Sequence, residues 1–240
     1  MEMARILGTE RFLLYNMSMS HHLDPYVAYY KDRELLEVYP WREYPGVMDT
    51  GQVIPYFQKT LFADCLFRAR LNSRFVVHYD LDEFLVPRHE DDLTWFDMIQ
   101  RTGCGWDRAM YGARQILYSQ GYPPNQVDYT TGLLTQHVLY RNEEVVKFHM
   151  RSKNIANTRM VKDLTNHFGV IVQGQHCEMR PDVAGNHHYR MEPPGRRLKV
   201  DVVLDPVMLK YQHKLKHGVA KVFRDLWWQE SQEMLFHELL

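Results

Sequence analysis

Phe75-Val76-Val77-His78-Tyr79-Asp80-Leu81-Asp82-Glu83-Phe84-Leu85-Val86-Pro87 is the stretch that organises the rest of the chain. Its first five residues are β-branched and aromatic in a nearly unbroken apolar run, which predicts a buried strand over Phe75–Tyr79. The run stops at Asp80-Leu81-Asp82. Two carboxylates one residue apart at the end of a buried strand are placed to share a divalent cation. Hard oxygen donors suit Mg²⁺ or Mn²⁺, which in turn grips the phosphate oxygens of a substrate. In open α/β sheets ligands sit outside the carboxyl ends of strands, where this turn falls. Glu83 adds a third carboxylate beside an apolar Phe-Leu-Val, and three acids at a strand end repel one another unless a cation compensates. The competing reading is a solvated acidic turn, because an Asp-x-Asp arises by chance about once in a chain of this length and composition.

The flanking sequence alternates helical and extended patterns, which points to an α/β fold. Arg11–Asn16 and Glu37–Trp41 read as short strands around a helix over His22–Arg33. Between Pro55 and Leu71, Phe57, Leu61, Phe62, Cys65, Leu66 and Ala69 form a helical stripe, with Pro55 suited to its first turn. Beyond Pro87 the pattern predicts a short helix over Thr94–Gln100 and strands over Arg114–Tyr118, Val138–Tyr140 and Glu144–Met150. One or two helices are expected from Asp205 to the C-terminus, with Glu230–Leu240 helix-compatible.

The 240 residues are 45% hydrophobic and 25% charged, which excludes extended disorder and fibrous architecture. With 29 basic against 30 acidic side chains, the net charge of -1 offers no global attraction to nucleic acid or anionic lipid. No apolar run approaches the roughly 20 residues that cross a bilayer, and the first residues lack the core of a secretory leader. Cys65, Cys104 and Cys177 are too dispersed for a metal knuckle and allow at most one disulfide, leaving the redox compartment open. Asn16-Met17-Ser18 is a glycosylation sequon, consistent with a secretory lumen.

Two enzyme classes use an acidic turn of this kind. In haloacid-dehalogenase-type phosphatases the first Asp is a nucleophile and the second a general acid. Here Phe84 stands where that class has Thr or Val, and no later strand followed by Asp-Asp completes its Mg²⁺ site. In nucleotide-sugar-dependent glycosyltransferases the two Asp residues hold a divalent cation against the donor diphosphate. The wider text favours the second class. LGTERFLLYN, VYPW, Gly51-Gln52, FADCLFR, FVVHYDLDEFLVP, RSKNI at Arg151–Ile155, Asn166-His167 and NHHYR at Asn186–Arg190 occur in the order in which they resemble glycosyltransferase family 92, formerly a domain of unknown function.

The resemblance implies a GT-A fold, an α/β arrangement with a mixed central sheet flanked by helices, in a single catalytic domain over 1–240. It implies a UDP-sugar donor, a divalent metal such as Mn²⁺, inversion at the anomeric carbon and a glycan or glycoconjugate acceptor, with galactose as the sugar. A non-catalytic glycan- or nucleotide-binding relative is the alternative from another class. Carried over by position, Asp80 and Asp82 match the metal-and-diphosphate motif, and His188 is the expected third metal ligand. His188 also reads as a structural histidine beside Tyr189, and His167 competes for the ligand role. Lys153, with Arg151 on the same face of an extended segment, is expected to neutralise the diphosphate, or else to be a solvated base at a strand end. Asp64 is expected near the nucleotide, although Asp64 and Arg68 also have the spacing of a helix-surface ion pair. The general base stays open among Glu143, Glu144, Asp128 and Asp182. Animal members of the family are typically Golgi-type membrane proteins with an N-terminal anchor. Against that pattern, the chain is expected to lack its first strand and its anchor.

Overall fold

The computed structural model describes residues 1–41, 53–78, 80–119, 132–190 and 201–237. It divides into two compact units, Met1–Gly51 with Gln212–Leu240, and Gln52–Tyr211. In the first, a short helix α1 (Glu2–Leu7) ends at Gly8, whose φ of 115° lets the chain turn left-handed into strand β1 (Phe12–Asn16). Helix α2 (Asp24–Lys31) carries Pro25 in its first turn and leads to β2 (Leu36–Pro40). β1 and β2 pair in parallel, Phe12 against Leu36 through Asn16 against Pro40. This strand–helix–strand unit is the one predicted from Arg11 to Trp41. Tyr29, Tyr30 and Leu36 form its core with Val222 of the long C-terminal helix Gln212–His237.

The second unit starts with α3 (Val53–Asn72) and β3 (Phe75–Val77), as the apolar stripe and the FVV run predict. After the acidic turn come β4 (Glu83–Pro87) and α4 (Trp95–Arg101). Thr94 caps α4 in a reciprocal box: its hydroxyl accepts from Asp97 N, and Asp97 Oδ2 accepts from Thr94 N at 2.9 Å. Then follow β5 (Met110–Ala113), β6 (Gln115–Ser119), a single helical turn α5 (Leu134–His137) and β7 (Tyr140–Asn142). The unit closes with β8 (Lys153–Asn157), β9 (Val161–Leu164), β10 (Gly169–Ile171), β11 (His176–Glu178), β12 (Ala184–Arg190) and β13 (Val202–Leu204).

These strands make a four-stranded sheet ordered β11-β5-β8-β3 and a five-stranded sheet ordered β13-β7-β6-β12-β4, both mixed, with β9 and β10 as a separate hairpin. The fold is therefore α/β with mixed sheets flanked by helices. The four-stranded sheet is buried on both faces, so its strands lack simple apolar–polar alternation. Met110 and Ala156 face Phe62 and Leu66 of α3, whereas Tyr111, Ala113 and Ile155 face Met98 and Ile99 of α4. A disulfide between Cys104 and Cys177 packs into that second core, and Cys65 stays a buried thiol.

Glu144–Met150 does not form the predicted strand. Val146 N bonds to Gln115 O, but the segment then turns, with His149 at a φ of 67° and its N–H donating to Ser152 Oγ. The alternation that resembled a strand is thus spent on a loop edge. The predicted strand over Val138–Tyr140 begins only at Tyr140, because Leu134–His137 is already helical. Tyr79, Gly51-Gln52 and the last residues of Glu230–Leu240 lie outside the described residues.

Candidate active site

Both sheets exchange strands at the acidic turn. The chain leaves β3 in the four-stranded sheet, passes Asp80-Leu81-Asp82 and enters β4 at the edge of the five-stranded sheet. It crosses the same seam a second time between β5 and β6. The turn is closed by Glu83 N donating to Asp80 O, and Tyr189 N of β12 donates to Asp82 O. Leu81 projects outward, 89% exposed.

Strand register determines which side chains meet there. β12 runs antiparallel to β4 and parallel to β6, placing His188 opposite Glu83 and Asn186 opposite Gln115. Side chains alternate along a strand, so Glu83, Gln115 and His188 share one face. His187 and Tyr189 point to the other, where Tyr118 stacks on Tyr189 at 4.9 Å between ring centroids. On that face Arg88 Nη1 donates to His187 Nε2 at 3.1 Å, and Asp205 accepts from Arg88 at 2.7 Å and from Arg141 at 2.6 Å. Burial, then the Arg88 charge, keep His187 neutral; the two guanidiniums overcome the burial penalty on Asp205 and hold its carboxyl below the usual range. His187 is therefore a core histidine, and its neighbour His188 is the one that reaches the turn.

At the turn, Lys153 Nζ lies 2.9 Å from Glu83 Oε2 and 3.2 Å from Asp80 Oδ2, and donates to Asn166 Oδ1. His188 Nε2 lies 3.2 Å from Asp82 Oδ2, and its Nδ1 lies 2.6 Å from Gln115 Nε2 and 3.4 Å from Glu83 Oε1. The side chains of Lys153 and Glu83 are 1% and 2% exposed, whereas those of Asp80 and Asp82 are 50% and 47% exposed. A buried ion pair thus underlies two half-exposed carboxylates. Nδ1 of His188 thus sits between the Gln115 amide and Glu83, while Nε2 faces Asp82.

Of the residues expected from sequence, the structure brings Asp80, Asp82, Lys153 and His188 together. Lys153 is neither a solvated base nor surface-matched to Arg151, which is exposed while Lys153 is buried. His167 borders the group through Asn166: its ring Nδ1 lies 3.3 Å from Ser152 O, and burial and the Lys153 ammonium hold it below the ordinary histidine range. Asp64 sits on α3, where it accepts from Arg68 Nε at 2.6 Å. Among the candidate bases, Glu143 and Glu144 are exposed, Asp182 pairs with Arg180 at 2.7 Å, and Asp128 lies outside the described residues.

Glu83, Gln115 and Asn166 belong to the same group, and their residue types alone do not mark them as site residues. Glu83 carried a signal, a third acid beside an apolar run. Its compensating cation is the Lys153 ammonium, supplied by a strand seventy residues on. Among the described residues, no group of three or more His, Cys, Asp or Glu side chains is gathered closely enough to hold an ion by itself. Asp82 and His188 form a close pair, and Asp80 leans on Lys153. Mg²⁺ and Mn²⁺ sites of the phosphate-gripping kind use one or two carboxylates and fill the rest with phosphate oxygens and water. The donor chemistry of Asp80, Asp82 and His188 fits such an ion.

A small cavity opens beside Lys153, lined by Val76, His78, Asn154, Leu164, Thr165 and Asn166. His78 stacks on Phe62 at 4.7 Å, and its Nε2 is buried with no protein partner among the described residues. Burial, then the Lys153 charge, lower its pKa to about 4.

No described helix is long and apolar enough to cross a membrane. None of the curated proteins compared with the chain matches it. The family model described as glycosyltransferase family 92 matches residues 1–233, almost the whole sequence. With that span covered, and with the acidic turn, Lys153 and His188 inside it, the chain belongs to glycosyltransferase family 92.

Proposed function

We propose that the chain is a metal-dependent, inverting hexosyltransferase of GT-A type that moves galactose from a UDP-sugar to a glycan acceptor. The observation that carries this reading is the convergence of two half-exposed aspartates on a histidine and a buried lysine at a strand end. Asp80, Asp82 and His188 are the residues that would hold the cation. When bound, a divalent ion of this kind stabilises the nucleoside diphosphate leaving group as a Lewis acid. The acceptor hydroxyl oxygen attacks C1 of the sugar, the C1–O bond to the diphosphate breaks, and the hydroxyl proton passes to a carboxylate base. Lys153 acts beneath the turn. Buried at 1% exposure, it serves the diphosphate by fixing Asp80 rather than by direct contact.

The Cys104–Cys177 disulfide supports an oxidising compartment, and the Asn16 sequon, followed by a 54% exposed Met17, agrees with a secretory lumen such as that of the Golgi. A screen of UDP-sugars with Mn²⁺ and mixed glycan acceptors, read as UDP release, tests the assignment. Preferential release from UDP-galactose, with a β-linked product from the α-linked donor, is expected. A chain that releases UDP from none of the donors, or gives an α-linked product, contradicts it.

A further inference from the structure

We propose that Glu83 is the positioning residue of the acidic turn, a single buried carboxylate that sets both Lys153 and His188 and, through them, the two aspartates. This rests on the reading of Asp80, Asp82 and His188 as cation ligands. The connectivity is a chain of contacts through one side chain: Asp80 to Lys153 at 3.2 Å, Lys153 to Glu83 at 2.9 Å, Glu83 to His188 at 3.4 Å, His188 to Asp82 at 3.2 Å. Glu83 is the only link between the two arms among these contacts. It is too deeply buried to be a ligand itself, and its place is covalently fixed one residue after Asp82, at the first position of β4.

The two oxygens of Glu83 do different work. Oε2 faces the Lys153 ammonium and holds it where it also reaches Asp80. Oε1 faces Nδ1 of His188. An imidazole that donates an electron pair from Nε2 to a cation carries its proton on Nδ1, and that N–H needs an acceptor. A carboxylate behind a ligating histidine fixes the tautomer and ring orientation and raises the basicity of the ligating nitrogen. In the structure Nε2 points at Asp82, and Nδ1 lies between Glu83 Oε1 and the Gln115 amide. With Nε2 turned to a cation, the Nδ1 proton would have Glu83 Oε1 and the oxygen of the Gln115 amide as its acceptors.

The test compares the full chain with Glu83→Gln and with Glu83→Gln/Lys153→Met, measuring Mn²⁺ affinity in the presence of UDP and the urea midpoint. Glu83→Gln is expected to weaken Mn²⁺ roughly 10- to 100-fold, as loss of such partners does elsewhere. The double variant removes both buried charges and recovers the urea midpoint. It also removes a positive charge next to Asp80, which by itself favours cation binding. A merely structural Glu83 therefore predicts Mn²⁺ affinity at or above wild type in the double variant. The positioning role predicts affinity still lowered in a stable protein, because His188 has lost its carboxylate. Wild-type affinity in either variant overturns the proposal and leaves the ligand reading intact. A wild-type chain that binds no Mn²⁺ with UDP removes the ligand reading, and the proposal falls with it.

Discussion

Replacing Lys153 with methionine keeps most of the side-chain volume and deletes one charge from beneath the acidic turn. What remains is Glu83, 2% exposed, with no ammonium 2.9 Å away. Removing one partner of a buried ion pair costs about 3–5 kcal/mol, because the other charge is left desolvated. The second contact of Lys153, to the half-exposed Asp80, adds little, since such pairs are worth about 0–1 kcal/mol. The loss is therefore about 4 kcal/mol, a large fraction of the roughly 5–15 kcal/mol that stabilises a domain. With a urea slope of about 2–3 kcal/mol/M, the unfolding midpoint drops by about 1–2 M, readable by circular dichroism. Asp80→Asn is the matched control: it touches the same ammonium from the solvent side and shifts the midpoint by less than about 0.5 M. A Lys153→Met protein that unfolds at the wild-type midpoint refutes the buried-pair account.

Deleting the disulfide by Cys104→Ala/Cys177→Ala frees a loop of 73 residues and is expected to cost about 4 kcal/mol of stability, checked by urea unfolding beside the oxidised wild type. Acid should destabilise the chain through His78, whose folded pKa near 4 lies below its unfolded value of about 6.5. Between those values the unfolded state binds a proton that the folded state does not, so stability falls as pH drops from about 6.5 to 4 and levels off below. His78→Phe, which keeps the stack on Phe62, should flatten that slope by about 3 kcal/mol across the window; an unchanged pH profile would show that His78 is not the source. Asp205→Ala leaves Arg88 and Arg141 facing each other without their shared carboxylate and is expected to lose about 3 kcal/mol or more, whereas Asp182→Ala, exposed with Arg180, should change stability by less than about 0.5 kcal/mol.

Local pattern and tertiary placement contributed differently to what could be read in the chain. FVV, the stripe from Leu61 to Ala69 and the Arg11–Trp41 unit are periodic over their own length, and the structure has β3, α3 and the β1–α2–β2 unit where they fall. Glu83–Pro87 is a strand that its own pattern does not announce, because its first residue is a buried acid and its last a proline. Lys153–Asn157, with a lysine and two asparagines in five residues, has no apolar run at all, yet every one of the five is buried. Two of its polar side chains find partners beyond the strand and its turn: Asp80 and Glu83 for Lys153, His167 O for Asn154. Period and propensity cannot report such pairings. The same holds for the choice between His187 and His188. Alternation along β12 says that they face opposite sides, but only the register with β4 and β6 says which side meets Glu83.

The proposed role of Asp80 and Asp82 is to bind a nucleotide-sugar through a divalent cation, and calorimetry with UDP-galactose tests that most directly. Binding is expected in Mn²⁺ and is expected to disappear in EDTA and in an Asp82→Asn protein that keeps the wild-type urea midpoint. Equal affinity with and without the metal, or in Asp82→Asn, would contradict it.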